Sequence, residues 1–211
     1  MPCLGPCKKS NLKRNGKVRN SRWLRWLGGA LIAGGAAFLG SYYWMQQAAG
    51  RAQQDAREWL NRRAADRRAL PDAPNPPRRR LKHGDVVGRL SIPRLNLSVI
   101  VFEGDDAAIL RRGAGHIPAT SLPHQSGNLG IAAHRDTYFR PLRLIRPHDR
   151  IEFTTPEGVS RYSVTDIEIV RPSDIQVLAK TPGRDLTLVT CYPFYYLGSA
   201  PKRWIVHAKH M

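Results

Sequence analysis

Trp26 to Met45 reads WLGGALIAGGAAFLGSYYWM, 20 consecutive residues without a charge. An α-helix rising about 1.5 Å per residue needs about 20 such residues to cross a bilayer's hydrocarbon core. A helix buried in a soluble core rarely lacks polar positions over that length. The segment therefore divides the chain into a part before it and a part after it. Trp23 and Trp26 stand at one end, and Tyr42, Tyr43 and Trp44 at the other. Amphipathic rings of this kind favour the two membrane interfaces. Residues 1–25 carry 8 basic and no acidic side chains. The positive-inside rule then places this tail in the cytoplasm and everything after residue 45 outside. Ala48-Ala49-Gly50 offers a small-residue site at which a signal peptide is cleaved. Arg51, Arg57, Arg62 and Arg63 weaken the charge asymmetry. The reading adopted is an uncleaved, single-pass anchor in the cell (inner or plasma) membrane.

The net charge of +18 first suggests nucleic acid or an anionic membrane surface. Its distribution decides between them. Residues 51–82 carry 10 basic and 4 acidic side chains, and residues 83–211 carry 16 and 12. Most of the excess flanks the apolar segment, so a nucleic-acid-binding domain is excluded. Residues 46–83 form a basic stalk and linker. RAQQDAREWLNRRAADRRA (51–69) is rich in helix formers but has only Trp59 and Leu60 as large apolar residues. It reads as a solvated helix, with anionic lipid as a second surface for its arginines. PDAPNPPRRR (71–80) carries four prolines and reads as a semi-rigid extended spacer.

Residues 84–211 are the size of one domain. Their pattern is mostly strand: VVGRLSI (86–92), LSVIVFE (97–103), NLGIAAH (128–134), DRIEFTT (149–155), GVSRYSVTDIEIV (158–170), DLTLVTC (185–191) and KRWIVHA (202–208). Thr155-Pro156-Glu157-Gly158 has hairpin chemistry. Short helices are predicted over Asp105–Arg112, capped by Asp105 or Asp106, and over Thr137–Leu144. Short strands at this spacing, punctuated by Pro and Gly, form a sandwich or a barrel.

Cys3 and Cys7 precede the apolar segment, and Cys191 alone follows it. Cys191 thus has no disulfide partner in its own compartment, and a lone thiol there is a liability unless it has work to do. A buried apolar cysteine is the alternative. Cys3 and Cys7 have metal-site spacing but no second pair, and the carboxylates are scattered. No metal and no cofactor is expected.

Three runs narrow the choice: GHIPATSLPHQSGNLGIAAHRDTYFRPL (115–142), TLVTCYPF (187–194) and GSAPKRWIV (198–206). Together they resemble the sortases, membrane-anchored cysteine transpeptidases on a closed eight-stranded β-barrel. The A-H-R-D-T-x-F-R run with T-C-Y-P-F is most similar to class D or Gram-negative-type sortases. The resemblance implies an all-β catalytic domain with short helices. It implies His134, Cys191 and Arg203 as the catalytic set, and a thioester acyl-enzyme formed on an LPxTG-like sorting signal. Transfer then goes to an amine of a peptidoglycan peptide or of a pilin or other protein lysine.

The residues suit that chemistry on their own account. A thiolate, not a thiol, attacks a carbonyl. His134 and Cys191 both end apolar strands, so one barrel rim holds them. Histidine both accepts and donates a proton near neutral pH. Arg203 stays protonated and donates hydrogen bonds to an oxyanion or to substrate backbone. Three further residues are candidates for substrate binding. Thr190 offers a hydroxyl or backbone N–H to the substrate carbonyl. Asp136 orients Arg135 or caps the following helix. His116 matches a recurring family position, near the site or in a structural role. Ala119 and His124 stand where the family commonly has glycine, and Ala133 replaces a frequent glycine before the catalytic histidine. An L,D-transpeptidase is disfavoured, because its S-x-G-C-x-R run is absent around Cys191. The non-enzymatic alternative is a membrane-anchored adhesion or assembly domain that keeps the fold alone. Loss of a reacting residue would favour it, and none is lost.

Overall fold

The structure is a computed structural model that describes residues 22–69, 80–196 and 198–211. Residues 1–21 of the basic tail, with Cys3 and Cys7, and residues 70–79, which hold the four prolines of the spacer, lie outside the described residues. Two units are distinguished, Met1–Trp44 and Met45–Met211.

In the first unit the uncharged segment is helical throughout, as part of helix α1, Arg22–Ala69. Its large apolar side chains are exposed, with Trp26, Leu31, Ile32, Phe38 and Trp44 each more than two-thirds accessible. By hydropathy, no helix among the described residues is long and apolar enough to cross a membrane. The expected span falls short because Gly and Ala, which add little hydrophobicity, fill much of it.

In the second unit eight strands close into a barrel: β1 Val86–Ile92, β2 Leu97–Glu103, β3 Ala114–His116, β4 Gly127–Ala132, β5 Arg150–Thr155, β6 Gly158–Val170, β7 Arg184–Tyr192 and β8 Lys202–His210. Their order around the barrel is β1-β2-β3-β4-β7-β8-β6-β5. The seven expected strands are present, with ends moved by up to two residues. β3, only three residues long, escapes sequence reading because periodicity needs a longer window. It lies between β2 and β4, parallel to one and antiparallel to the other. Inward residues such as Leu90, Val99, Ile131, Phe153, Leu188 and Val206 are buried and fill the barrel. Period-two alternation leaves the other face of each strand for solvent or ligand.

The turns follow their residues. Thr155 and Gly158 pair across the β5–β6 hairpin, and Gly158 takes a positive φ of 152°. Asp106 caps helix α2, Ala107–Arg112, by accepting from the backbone N–H groups of Ala108 and Ile109. The helix expected over Thr137–Leu144 is instead a 3-10 turn, Arg140–Leu144, that starts at Phe139 with no side-chain cap. Asp136 therefore caps nothing.

The stalk is not uniformly solvated. Gln53, Ala56 and Leu60 are buried, and Ala56 and Leu60 pack with Ile100, Phe102 and Ile109. These three positions share one helical face. Ile100 N–H donates to Gln53 Oε1 (2.9 Å), and Arg57 Nη2 donates to Ser98 O (3.1 Å). β3 pairs with β2 only from Val101 onward, so these bonds satisfy the part of the β2 edge that no strand covers.

Candidate active site

β4 and β7 run parallel, with Ala132 beside Val189. Ala133 N–H continues the ladder to Val189 O (3.2 Å). β4 ends at Ala132, and His134 follows it by two residues at the same end of the sheet as Cys191 on β7. β7 and β8 are antiparallel and pair Cys191 directly with Arg203. Cys191 and Arg203 thus sit side by side on β7 and β8, and His134 stands just past the end of β4, the strand on the other side of β7. Cys191 is a half-buried free thiol. Arg203 Nη1 donates to Ala200 O (3.1 Å) and Lys202 O (3.0 Å), which leaves its other N–H groups for a ligand. No hydrogen bond joins His134 to Cys191 among the described residues. Catalytic hydrogen bonds are often long before substrate binds.

The other candidates separate from this trio. Thr190 is buried, and its hydroxyl donates to Ala133 O (2.7 Å). That bond fixes the carbonyl immediately before His134, so the hydroxyl is not directed at a substrate carbonyl. His116 is almost fully buried. Its Nδ1 lies 2.7 Å from Glu103 Oε2, and its Nε2 lies 3.1 Å from Thr120 Oγ1. It sits level with Ile131, hence with Leu188, and two strands away from β7. Its role is to tie β2, β3 and the following loop together. Asp136 is exposed in the turn after His134.

His124, where glycine is common, takes φ 63°. Its ring meets Thr155 Oγ1 (2.9 Å) and Ser160 Oγ (3.2 Å), so the β5–β6 hairpin holds a conformation that is unfavourable for most residues.

Two features were missed from sequence. Arg135 Nη2 donates to Tyr196 O (2.7 Å) and Gly198 O (3.1 Å), joining the segment after His134 to the β7–β8 loop. On the outer face of the sheet a polar chain crosses four strands: Glu168, His207, Thr187 and Asn128. Asn128 Nδ2 then donates to Val177 O (3.2 Å), in the β6–β7 connection. A cavity of about 420 Å³ lies along this chain, lined by Asn128, Glu168, Val177, Thr187 and His207. Thr187 is four residues before Cys191 on the same face, or about 13 Å at strand spacing. Thr187 and Cys191 thus share one face of β7, the first at the cavity and the second at the rim. Hydrogen bonds of single polar residues across strands leave no periodic trace in a sequence.

A family model described as a sortase domain matches residues 90–211. The chain is 33% identical over 129 residues to a sortase D of Bacillus subtilis (strain 168), covering 61% of this chain and 65% of that protein. It is 35% identical over 123 residues to sortase SrtE1 of Streptomyces coelicolor, covering 49% of this chain and 35% of that protein. The chain thus spans less than two thirds of either relative. Among solved structures, a sortase A from Actinomyces oris matches with TM-score 0.58 and 32% identity, covering 66% of this chain and 87% of that one. A Clostridium perfringens sortase D5 transpeptidase matches with TM-score 0.63 over 78% of this chain and 99% of that one. At 24% identity, that second likeness shows the fold.

Proposed function

For a chain that belongs to the sortase family, we propose cysteine transpeptidation of a protein sorting signal. The observation that carries this reading is the strand pairing that sets Cys191 opposite Arg203, with His134 following the neighbouring strand β4. The signal, of LPxTG type, lies extended along the outer face of β4 and β7 towards Cys191. The Cys191 thiolate attacks the carbonyl carbon of the Thr residue and forms a C–S bond. Arg203 donates hydrogen bonds to the oxyanion that develops. The C–N bond breaks, and the leaving amine takes a proton from His134. The thioester then meets an acceptor amine from a peptidoglycan peptide or a protein lysine. That amine forms a new C–N bond, gives a proton to His134 and releases the thiolate. Each step uses only side chains, so no cofactor enters.

The protein works outside the cytoplasm, held to the cell membrane by residues 26–45 with its N-terminus inside. What supports this is the 20-residue uncharged run, its aromatic ends and the basic tail before it. Its moderate hydropathy argues the other way. The tests are separate. Mass spectrometry of an L-P-x-T-G peptide library, with and without an added amine, should show transfer and slow hydrolysis respectively. Cleavage by Cys191→Ala would overturn the nucleophile assignment. Recovery of the full chain in the soluble fraction of its cells would overturn the anchor.

A further inference from the structure

Beyond the rim lies a wall whose charge is not balanced. It consists of the segment after His134, the β7–β8 loop and the C-terminal end of α2. Arg135 ties the first two together through Tyr196 O and Gly198 O. Tyr138 OH ties in the third by donating to Arg112 O (3.1 Å) and Arg111 O (3.4 Å). The Arg143 guanidinium lies 5.9 Å from the centre of the Tyr195 ring, and Tyr195 is 76% exposed. Residues 135–146 contain Arg135, Arg140, Arg143 and Arg146 against one carboxylate, Asp136. Elsewhere on the barrel, Arg94, Arg161 and Arg171 have carboxylate partners in Asp149, Glu152 and Asp174. Among the described residues, Arg111, Arg140 and Arg143 form no ion pair. Arg135 Nη1 is buried with no acceptor, an arrangement that costs free energy until an anion meets it.

The proposed function seats the sorting signal on the outer face of β4 and β7. Arg135 directly follows His134, and Tyr195 stands four residues after Cys191, so the wall borders the reacting groups. We propose that the wall docks the acceptor, and that the acceptor is a peptide bearing carboxylates beside its nucleophilic amine. Arg140 and Arg143 take the carboxylates, Tyr195 covers the peptide, and the amine reaches the Cys191 thioester. The inference rests on the transpeptidase reading and adds the chemical class of its second substrate.

Two probe peptides share one amine terminus and differ in charge, Gly-Gly-Glu-Glu and Gly-Gly-Gln-Gln. The binding test uses the full chain carrying Cys191→Ala, in detergent, and needs no turnover. Gly-Gly-Glu-Glu should shift the side-chain NMR signals of Arg140 and Arg143. Gly-Gly-Gln-Gln should bind about threefold to tenfold more weakly, as a pair of exposed charge contacts allows. R140Q/R143Q should erase the difference. In turnover, the acidic peptide should raise the ratio of transfer to hydrolysis by the same factor in wild type and not in R140Q/R143Q. Hydrolysis without acceptor should be equal in both. Equal binding of the two peptides overturns the proposal. So does movement of the arginine signals only with phosphatidylglycerol vesicles, which would give the arginines to a membrane surface. If no sorting peptide is cleaved but the acidic peptide still binds selectively, the enzyme reading fails and the anion-docking surface stands.

Discussion

Thr190 sits between two roles that a sequence cannot separate, because its neighbour Cys191 makes any hydroxyl there look like a substrate contact. In the folded chain the hydroxyl donates to Ala133 O, one residue before His134. It therefore acts through the histidine's backbone and is a positioning residue. We predict that Thr190→Val, nearly the same shape without the donor, keeps the fold at a cost of about 0.5–1.5 kcal/mol in urea unfolding. Transpeptidation should fall about tenfold, chiefly in kcat, and Thr190→Ser should restore most of it. A change in KM alone would return the hydroxyl to the substrate. For the reacting groups, Arg203→Lys keeps the charge but loses the planar fork that spans two acceptors. We expect a loss of roughly 10²–10³ in kcat/KM, as for removal of an oxyanion donor. A rate within twofold of wild type would show that charge alone suffices.

Helix α1 and the barrel meet in a small satellite cluster, and two measurable consequences follow at the level of elements. Leu60 is buried against Ile100, Phe102 and Ile109. Leu60→Ala should cost about 2–3 kcal/mol, the low end for a buried leucine, and lower Tm by about 4–12 °C. A chain shortened to begin at residue 83 should lose more and bind a hydrophobic dye, whereas one beginning at residue 45 should not. Equal melting of the two would make the helix face dispensable. Helix α2 provides the second consequence. His83 and the Ala108 N–H hold the Asp106 carboxyl down at about 2, against 3.8 ordinarily. The lowered value means the cap contributes fully above the ordinary carboxylate range and is lost as the pH falls through about 2. Asp106→Asn should therefore lower stability at neutral pH and close most of that gap near pH 2, as read by acid titration of the circular dichroism. What was legible beforehand follows from these contacts. Seven strands, the α2 cap and the place of Cys191 near the end of β7 were readable, since alternation, cap chemistry and strand ends are local signals. β3 was too short to show a period. The face made by Gln53, Ala56 and Leu60 was hidden because two of its three members are not strongly apolar. The Glu168–His207–Thr187–Asn128 chain joins four strands distant in sequence, and only the barrel order makes it one feature.

For the molecule as a whole, the charge map and the apolar run must be explained together. Residues 1–25 bring 8 positive charges and no negative ones to one end of a segment whose large side chains are exposed. Exposed apolar surface of that extent is costly in water, at about 25 cal/mol per Å². Lipid removes the cost, although Gly28, Gly29, Gly34, Gly35 and Gly40 dilute the segment. Each replaces a side chain that would have strengthened insertion, so the proposed anchor is a moderate one. We predict that the full chain stays with membranes during alkaline carbonate extraction, and that a chain lacking residues 1–45 is released as a soluble barrel. Replacing the five glycines by leucine should leave membrane retention intact, because insertion gains and nothing within 4 Å of those positions clashes. Replacing Leu31 and Phe38 by lysine should release the full chain, since a charge at mid-bilayer costs about 2.5–3.5 kcal/mol on insertion scales. Orientation is read independently, by protease added outside intact spheroplasts. Digestion of the barrel with survival of an N-terminal tag fits the basic tail inside. Survival of the barrel would place the thiol in the cytoplasm and remove its access to extracytoplasmic acceptors.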